Sequence, residues 1–339
     1  MLPGKIPPEM LKDLVFTHLG KRDPDLILGP GIGQDACLIR FGDRILVAAT
    51  DPITGSIEDA GWLSVHVNAN DIATFGVAPR WFLNSIMLPE TSDEDDLAKI
   101  MQQIHKAAAS LGISVAGGHT EITQGLDRPI IAGFMLGLTE PGKYVTSSGA
   151  GSGDVIIMTK TAAIEGTAIL ASEGRGYLSE IIGEGLVENA VQIRDSISVV
   201  EEGIAAFQTG YVTAMHDPTE GGIVGGLHEM CNASGVGFKV DLESIPLHPA
   251  TTAICDTLGV NWLYLISSGC MLITCPSTHA EEVVHAIEEN GLQATIIGRI
   301  VDDSTTRLLV EDDESKPVER YGTDALWDAL KILKERKAS

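Results

Sequence analysis

The chain has 339 residues, 44% of them hydrophobic, and 23 Lys and Arg against 47 Asp and Glu give a formal net charge of −24. This length predicts two domains with enough apolar surface to form cores without disulfides or structural metals. The acid excess argues against nucleic acid and anionic membrane surfaces as partners, because both need basic patches, but it allows a nucleotide bridged by Mg2+.

The start of the chain, MLPGKIPPEML, has no apolar core segment of the signal-peptide kind. No stretch of about 18 apolar residues predicts a membrane span. Five cysteines, an odd number without a CxxC pair, read as reduced thiols, so a cytoplasmic location is expected.

In chain order, Pro8 opens a predicted helix that Gly20 closes, and a glycine loop follows at Gly29–Gly33. RILVAAT (44–50) reads as a strand, WLSVHVNANDIATFG (62–76) as a helix and WFLNSIML (81–88) as a strand. Thr91 and Glu94 fit a capping box before the amphipathic helix LAKIMQQIHKAAASLG. ISVAGG and IIAGFMLGL read as buried strands around a loop. SSGAGSG (147–153) is the expected linker, placing domains at 1–150 and 151–339. Beyond it, VIIMTK and SSGCMLITC read as strands, the latter carrying Cys270 and Cys275. GGIVGGLHEMCNASG (221–235) reads as a glycine-rich helix with Thr219 as its cap. Thr278 and Glu281 are expected to cap a helix reaching Asn290. ATIIGRI and RLLV are late strands, and a last helix spans about 324–337.

Five segments carry chemistry. In GPGIGQDACLI (29–39), Gly31 and Gly33 let backbone amides approach a phosphate and Asp35 offers a carboxylate to a metal. Because this loop precedes a strand, it is not a dinucleotide fingerprint. Asp51 follows an apolar strand, a common place to hold Mg2+. Asn68 and Asp71 lie three apart on an otherwise apolar helix, where burying them costs free energy unless they bind something. Gly117, Gly118, His119, Thr120 and Glu121 follow a strand, and Asp217 stands before the glycine-rich helix. Together Asp35, Asp51, Asp71 and Glu121 form an expected acidic cluster beside two glycine-rich anion cradles, as a Mg2+–nucleotide site requires. No GxxxxGK[ST], HRD, DFG or GxSxG is present.

The order GIGQDA, TDP, VNANDIATFGVAP, GGHTE, DPTEGG resembles the aminoimidazole ribonucleotide (AIR) synthetase superfamily over about residues 25–300. That group includes the hydrogenase-maturation protein HypE, thiamine-monophosphate kinase and selenophosphate synthetase. The overall look, with a GK-x-PPE-x-L opening, is similar to archaeal HypE-like proteins. The resemblance implies an α/β (α+β) fold of two domains. The N-terminal sheet would form a barrel with that of a second subunit, a homodimer, with ATP near the interface and a C-terminal α/β domain beside it. It implies ATP and Mg2+ as cofactors. Asp35, Asp51 and Asp71 would be metal and phosphate ligands, with Glu121 a further metal ligand. Gly31, Gly33, Asn68, Gly117, Gly118, Thr120 and Lys160 would bind nucleotide, and Asp51, Asp71 and Asp217 would serve catalysis.

The implied activity is phosphoryl transfer to, or ATP-driven activation of, a small-molecule acceptor, with a hydrogenase-maturation protein as a partner. Thiamine-monophosphate kinase and a non-catalytic nucleotide-binding scaffold are the alternatives. Against the family pattern, Gln34 stands where many relatives carry a second Asp. His119 stands where they carry an acid, Glu220 where HypE carries Arg, and Ser267–Ser268–Gly269 where HypE carries an acidic segment. The sequence ends Arg336–Lys337–Ala338–Ser339, without the terminal Cys of HypE, so no carbamoyl transfer to a tail thiol is expected.

Overall fold

The computed structural model describes residues 4–54, 58–320 and 322–337, so the expectations about Ala338 and Ser339 lie outside the described residues. The residues fold as two compact units. The N-terminal unit takes Asp23–Pro30 and Asp35–Tyr144. The C-terminal unit takes the chain from Val145 onward, with Gly31–Gln34 and the described residues up to Arg22. The polypeptide therefore passes between the units at 22/23, 30/31, 34/35 and 144/145.

The chain opens with α1 (Pro8–Met10), which has Pro at its first position as expected. It continues as a π-helical turn over Leu11–Val15 instead of a long α-helix. In the N-terminal unit, β1 (Leu26–Leu28), β2 (Cys37–Phe41), β3 (Arg44–Ile53), β4 (Pro79–Leu88), β5 (Ser114–Ile122) and β6 (Ile130–Thr139) form one sheet. Its order is β1-β2-β3-β6-β4-β5, antiparallel except where β5 runs parallel to β4. Helices α2 (Ala60–Ala73) and α3 (Glu94–Ser110) pack on one face. Every residue of α2 except Trp62 is buried, the pattern of a helix enclosed on all sides.

The capping box of α3 is two residues later than expected. Asp93 accepts from the Asp95 and Asp96 amides at 3.0 Å, and Asp96 Oδ2 accepts from the Asp93 N–H at 3.2 Å. Aspartate fills both roles that Thr and Glu take in the usual motif. A second difference is that β5 runs through Ile122, so GGHTE is strand and not a loop after one.

The C-terminal unit has β7 (Asp154–Thr159), α4 (Ile164–Glu173), α5 (Arg175–Ile182), α6 (Glu184–Gln192), α7 (Val200–Gln208) and β8 (Ala214–His216). Then follow α8 (Gly222–Ser234), β9 (Gly237–Asp241), α9 (Pro249–Leu258), β10 (Leu272–Pro276) and α10 (Ala280–Glu288). The last elements are β11 (Ala294–Val301), β12 (Arg307–Glu311), β13 (Glu314–Pro317) and α11 (Ala325–Lys337). Its seven-stranded sheet has the order β13-β12-β9-β11-β7-β10-β8. One core, around Ile156, Leu227, Phe238 and Leu272, lies under α8. Another, around Leu170, Leu178, Ile254 and Leu333, joins α4, α5, α9 and α11.

Three local expectations shift here. Cys270 precedes β10, and only Cys275 lies on it. The α10 helix starts at Ala280 after a 3-10 turn, with His279 at its N-cap position and no side-chain cap from Thr278. The N-cap of α8 is Gly221 at φ 86°, not Thr219.

Candidate active site

In the N-terminal unit, α2 brings its polar residues to β3. Asn68 Oδ1 accepts from the Asp51 N–H at 2.8 Å, and Asn68 Nδ2 donates to the Asp51 carbonyl at 3.1 Å and to the Ser64 carbonyl at 2.8 Å. A buried amide that clamps both backbone groups of one strand residue fixes where the Asp51 carboxylate begins. Gly133, opposite Asp51 in β6, leaves room for this clamp, since a Cβ there would lie 2.3 Å from Asn68 Nδ2. Asp71, three residues beyond Asn68, is 5% exposed, and its carbonyl accepts from the Thr74 hydroxyl at 2.8 Å. Asp35 is half-buried just before β2.

Glu121 is committed differently. It lies on the edge strand β5, exposed, where its carboxylate accepts from Thr123 Oγ1 at 2.7 Å and bonds His119 Nε2 at 3.1 Å. Those two bonds, Thr123's the stronger, hold its carboxyl below the usual range. Among the described residues no group of three or more His, Cys, Asp or Glu stands ready to hold a metal ion. The four acids thus do not gather into one cage. Mg2+ does not require one, since it commonly takes one or two carboxylates and completes its shell with water and substrate phosphates. The donors at Asp35, Asp51 and Asp71 are all hard oxygens, which fit such a cation. Gly117 and Thr120 are exposed on β5. Gly118 answers to packing, because a Cβ there would meet the Asn84 carbonyl of β4 at 2.3 Å.

In the C-terminal unit, Gly31 begins a turn whose carbonyl accepts from the Gln34 N–H at 3.3 Å. Gly33 lies against the Glu229 backbone, and its carbonyl accepts from the Ser147 hydroxyl. Lys160 is consumed internally. Its ammonium pairs with buried Glu202 at 2.7 Å and donates to the carbonyls of Ser196 and Ser198. Those three partners use all three donors of the ammonium. Asp217, 1% exposed, follows β8. The charges of Lys160, Asp217 and Glu202 all act on the Cys270 thiol, which burial pushes up to about 12.

The anion cradle expected ahead of α8 is filled by the chain itself. The Gly221 N–H donates to Asp324 Oδ2 at 2.7 Å, while Asp324 Oδ1 accepts from Ile266 N–H at 3.1 Å and Leu326 N–H at 2.8 Å. Thr219 accepts from Lys5 Nζ at 2.6 Å. Deeper in α8, buried Glu229 takes His216 Nε2 at 3.1 Å and Arg320 Nη2 at 2.5 Å. Burial alone would raise the Glu229 carboxyl, but Lys5, His216 and Arg320 outweigh it and hold it at about 2. Sequence reading missed Lys5, Glu229, Arg320 and Asp324. Glu229 on a helix carried no local signal, and the other three meet their partners across most of the unit.

Two family models match the chain. The N-terminal domain of AIR synthase related proteins matches residues 33–139, and the C-terminal domain matches 151–311. Among curated relatives, the hydrogenase expression/formation protein HupE of Azotobacter chroococcum mcd 1 is 29% identical, covering 82% of each chain. Carbamoyl dehydratase HypE of Azotobacter vinelandii is 29% identical over 72% of this chain and 70% of its own. Among solved structures, a HypE–HypF complex superposes with TM-score 0.72 and 23% identity, over 85% of this chain and 93% of that one. HypE in complex with ATP gives 0.70 and 21%, over 94% and 96%. A ThiL protein complexed with AMPPCP and TMP gives 0.70 and 22%, over 87% and 92%. These structural likenesses establish the fold. Among the described residues no helix is long and apolar enough to cross a membrane.

Proposed function

The chain belongs to the AIR synthase related family, and from that membership we propose that it is an ATP- and Mg2+-dependent enzyme acting on a small acceptor. The observation that carries this reading is the Asn68 clamp on Asp51, with Asp71 buried on the same helix. Asp35, Asp51 and Asp71 would hold Mg2+ and, through it, the nucleotide phosphates. The cation supplies the positive charge that lets phosphates approach carboxylates. The work of this chain's own residues is positioning, which dominates phosphoryl-transfer catalysis. Asn68 keeps Asp51 from shifting along β3, and α2 keeps Asp71 out of bulk water. Asp217 is the further catalytic residue, and Gly31, Gly117 and Thr120 would contact nucleotide. The internal commitment of Lys160 and Glu121 favours a supporting role for both.

The relatives named as carbamoyl dehydratases and the HypE–HypF structure favour activation of a carbamoyl-type oxygen, with a maturation protein as partner. The ThiL neighbour bound to AMPPCP and TMP favours thiamine monophosphate as the second acceptor to test. The test is ADP release with each acceptor class, alongside calorimetry of ATP binding. Asp71→Asn is expected to abolish Mg2+-dependent ATP binding and ADP release while its melting temperature stays near that of the parent. A variant that melts higher and still binds ATP would make Asp71 a structural residue.

A further inference from the structure

A cavity of about 830 Å³ lies wholly among residues of the C-terminal unit, and Ile32, between Gly31 and Gly33, is in its lining. Pockets of this size hold small molecules when a few polar groups converge on an apolar lining. Here acids gather at the start of α8, where the Lys5 ammonium, also in the lining, is held by Thr219 Oγ1 at 2.6 Å, and a guanidinium lies further along. At the start of the helix sit Glu220 and Asp324. Glu220 Oε2 accepts from the Lys5 N–H at 2.5 Å. Asp324 feels the Glu220 charge, which marks the two acids as neighbours. Further along, Arg320 lines the same cavity beside His228, and its contact with Glu229 uses one of five guanidinium donors. His228 adds no positive charge near neutrality, because burial holds its ring down to about 4.

The N-terminal segment also lines the cavity. Lys12 lies in the π-helical turn and Phe16 closes it, both facing the cavity with Ile6. Such turns are rare and recur at functional sites. Glu9 is the one further acid in the lining. From Gly221 to His228 is seven residues, about 10 Å at the helical rise. That span suits a five- or six-carbon chain with a hydrogen bond at each end.

We propose that this cavity binds a linear ω-amino or ω-guanidino carboxylate. Its cationic end would lie on Glu220, its carboxylate on Arg320 and Lys12, and its methylenes on Ile6 and Phe16. The probe is 6-aminohexanoate, titrated into the full-length protein by calorimetry near pH 7.5. Saturable binding is expected, with hexylamine and hexanoate each weaker by at least about tenfold, equivalent to about 1.4 kcal/mol. Glu220→Gln keeps an oxygen for the Lys5 amide, and Lys12→Gln touches no buried contact. Each is expected to weaken the zwitterion about tenfold with an unchanged melting temperature. Absence of binding at millimolar probe, equal binding of hexanoate or hexylamine alone, or binding that neither variant alters would overturn the proposal.

Discussion

His228, Asp324 and Glu229 titrate away from their ordinary values, and they pull stability in different directions. Burial lowers His228 from 6.5 to about 4, so the folded ring stays neutral where the unfolded one gains a proton. Its contribution is complete above about pH 6.5 and is lost as pH falls toward 4. Burial raises Asp324 from 3.8 to about 6, so the folded carboxyl keeps its proton longer, and stability from this group is lost as pH rises from 3.8 to 6. Glu229, lowered from 4.5 to about 2, adds stability above its unfolded value that is lost as pH falls through that window. Between pH 4 and 6 the first two oppose each other. His228→Gln keeps a donor for the Val318 carbonyl and removes one side of that balance. In urea unfolding at pH 4.5, 5.5 and 7, the variant should gain on the parent as pH falls; a pH-independent difference would show that the imidazole is not held neutral. The cysteines give a second prediction. Burial pushes the Cys231, Cys255 and Cys270 thiols to about 12 and Cys275 to about 11, and it also raises half-buried Cys37. A thiol is nucleophilic only as thiolate. Intact mass after incubation with ATP and a carbamoyl donor should show no adduct on these five.

The N-terminal sheet has two unlike faces. Val47, Phe82 and Met135 are buried on the side of α2. On the other side Leu46, Leu83 and Leu136 are half-buried, and Phe134, which pairs with Leu83 across β4 and β6, is 43% exposed. A contiguous apolar sheet face of this kind calls for a cover. Light scattering at micromolar concentration should report a dimer, and Phe134→Glu should shift it to monomer. The segments on which this depends were readable in advance. β3, β4 and β6 are short apolar runs bounded by Gly, Pro and Asp, and the α2 polar pair stood out because Asn and Asp are costly on an apolar helix. The start of α3 was misplaced by two residues because Asp93 and Asp96 imitate the spacing sought at Thr91 and Glu94. What stayed illegible is long-range. Asp324 meets Gly221 across 103 residues and Lys5 meets Glu220 across 215, and neither pair leaves a pattern in any window of sequence.

A net charge of −24 sets the conditions under which this protein can meet a polyphosphate. Like charges approaching through a few ångströms of protein-lined space repel by several kcal/mol unless a cation intervenes. ATP affinity measured by calorimetry should therefore fall by at least about tenfold, roughly 1.4 kcal/mol, when a chelator removes Mg2+. Equal affinity with and without chelator would mean that basic groups, not a metal, receive the phosphates.

The way the chain is shared between its two units also bears on its birth. Lys5 leaves the ribosome well before its partners, for it is held by Thr219 and Glu220, and the carboxylate at Glu229 needs both Lys5 and Arg320. During synthesis the N-terminal sheet, complete by Thr139, can close while the segment around Lys5 still waits for contacts more than 200 residues downstream. Exposed Leu14, Val15 and Leu19 then remain on an untethered segment for most of translation, a natural grip for a chaperone. Cutting the gene between the two family-matched regions would part Lys5 from Glu229 and leave a buried anion short of a cation.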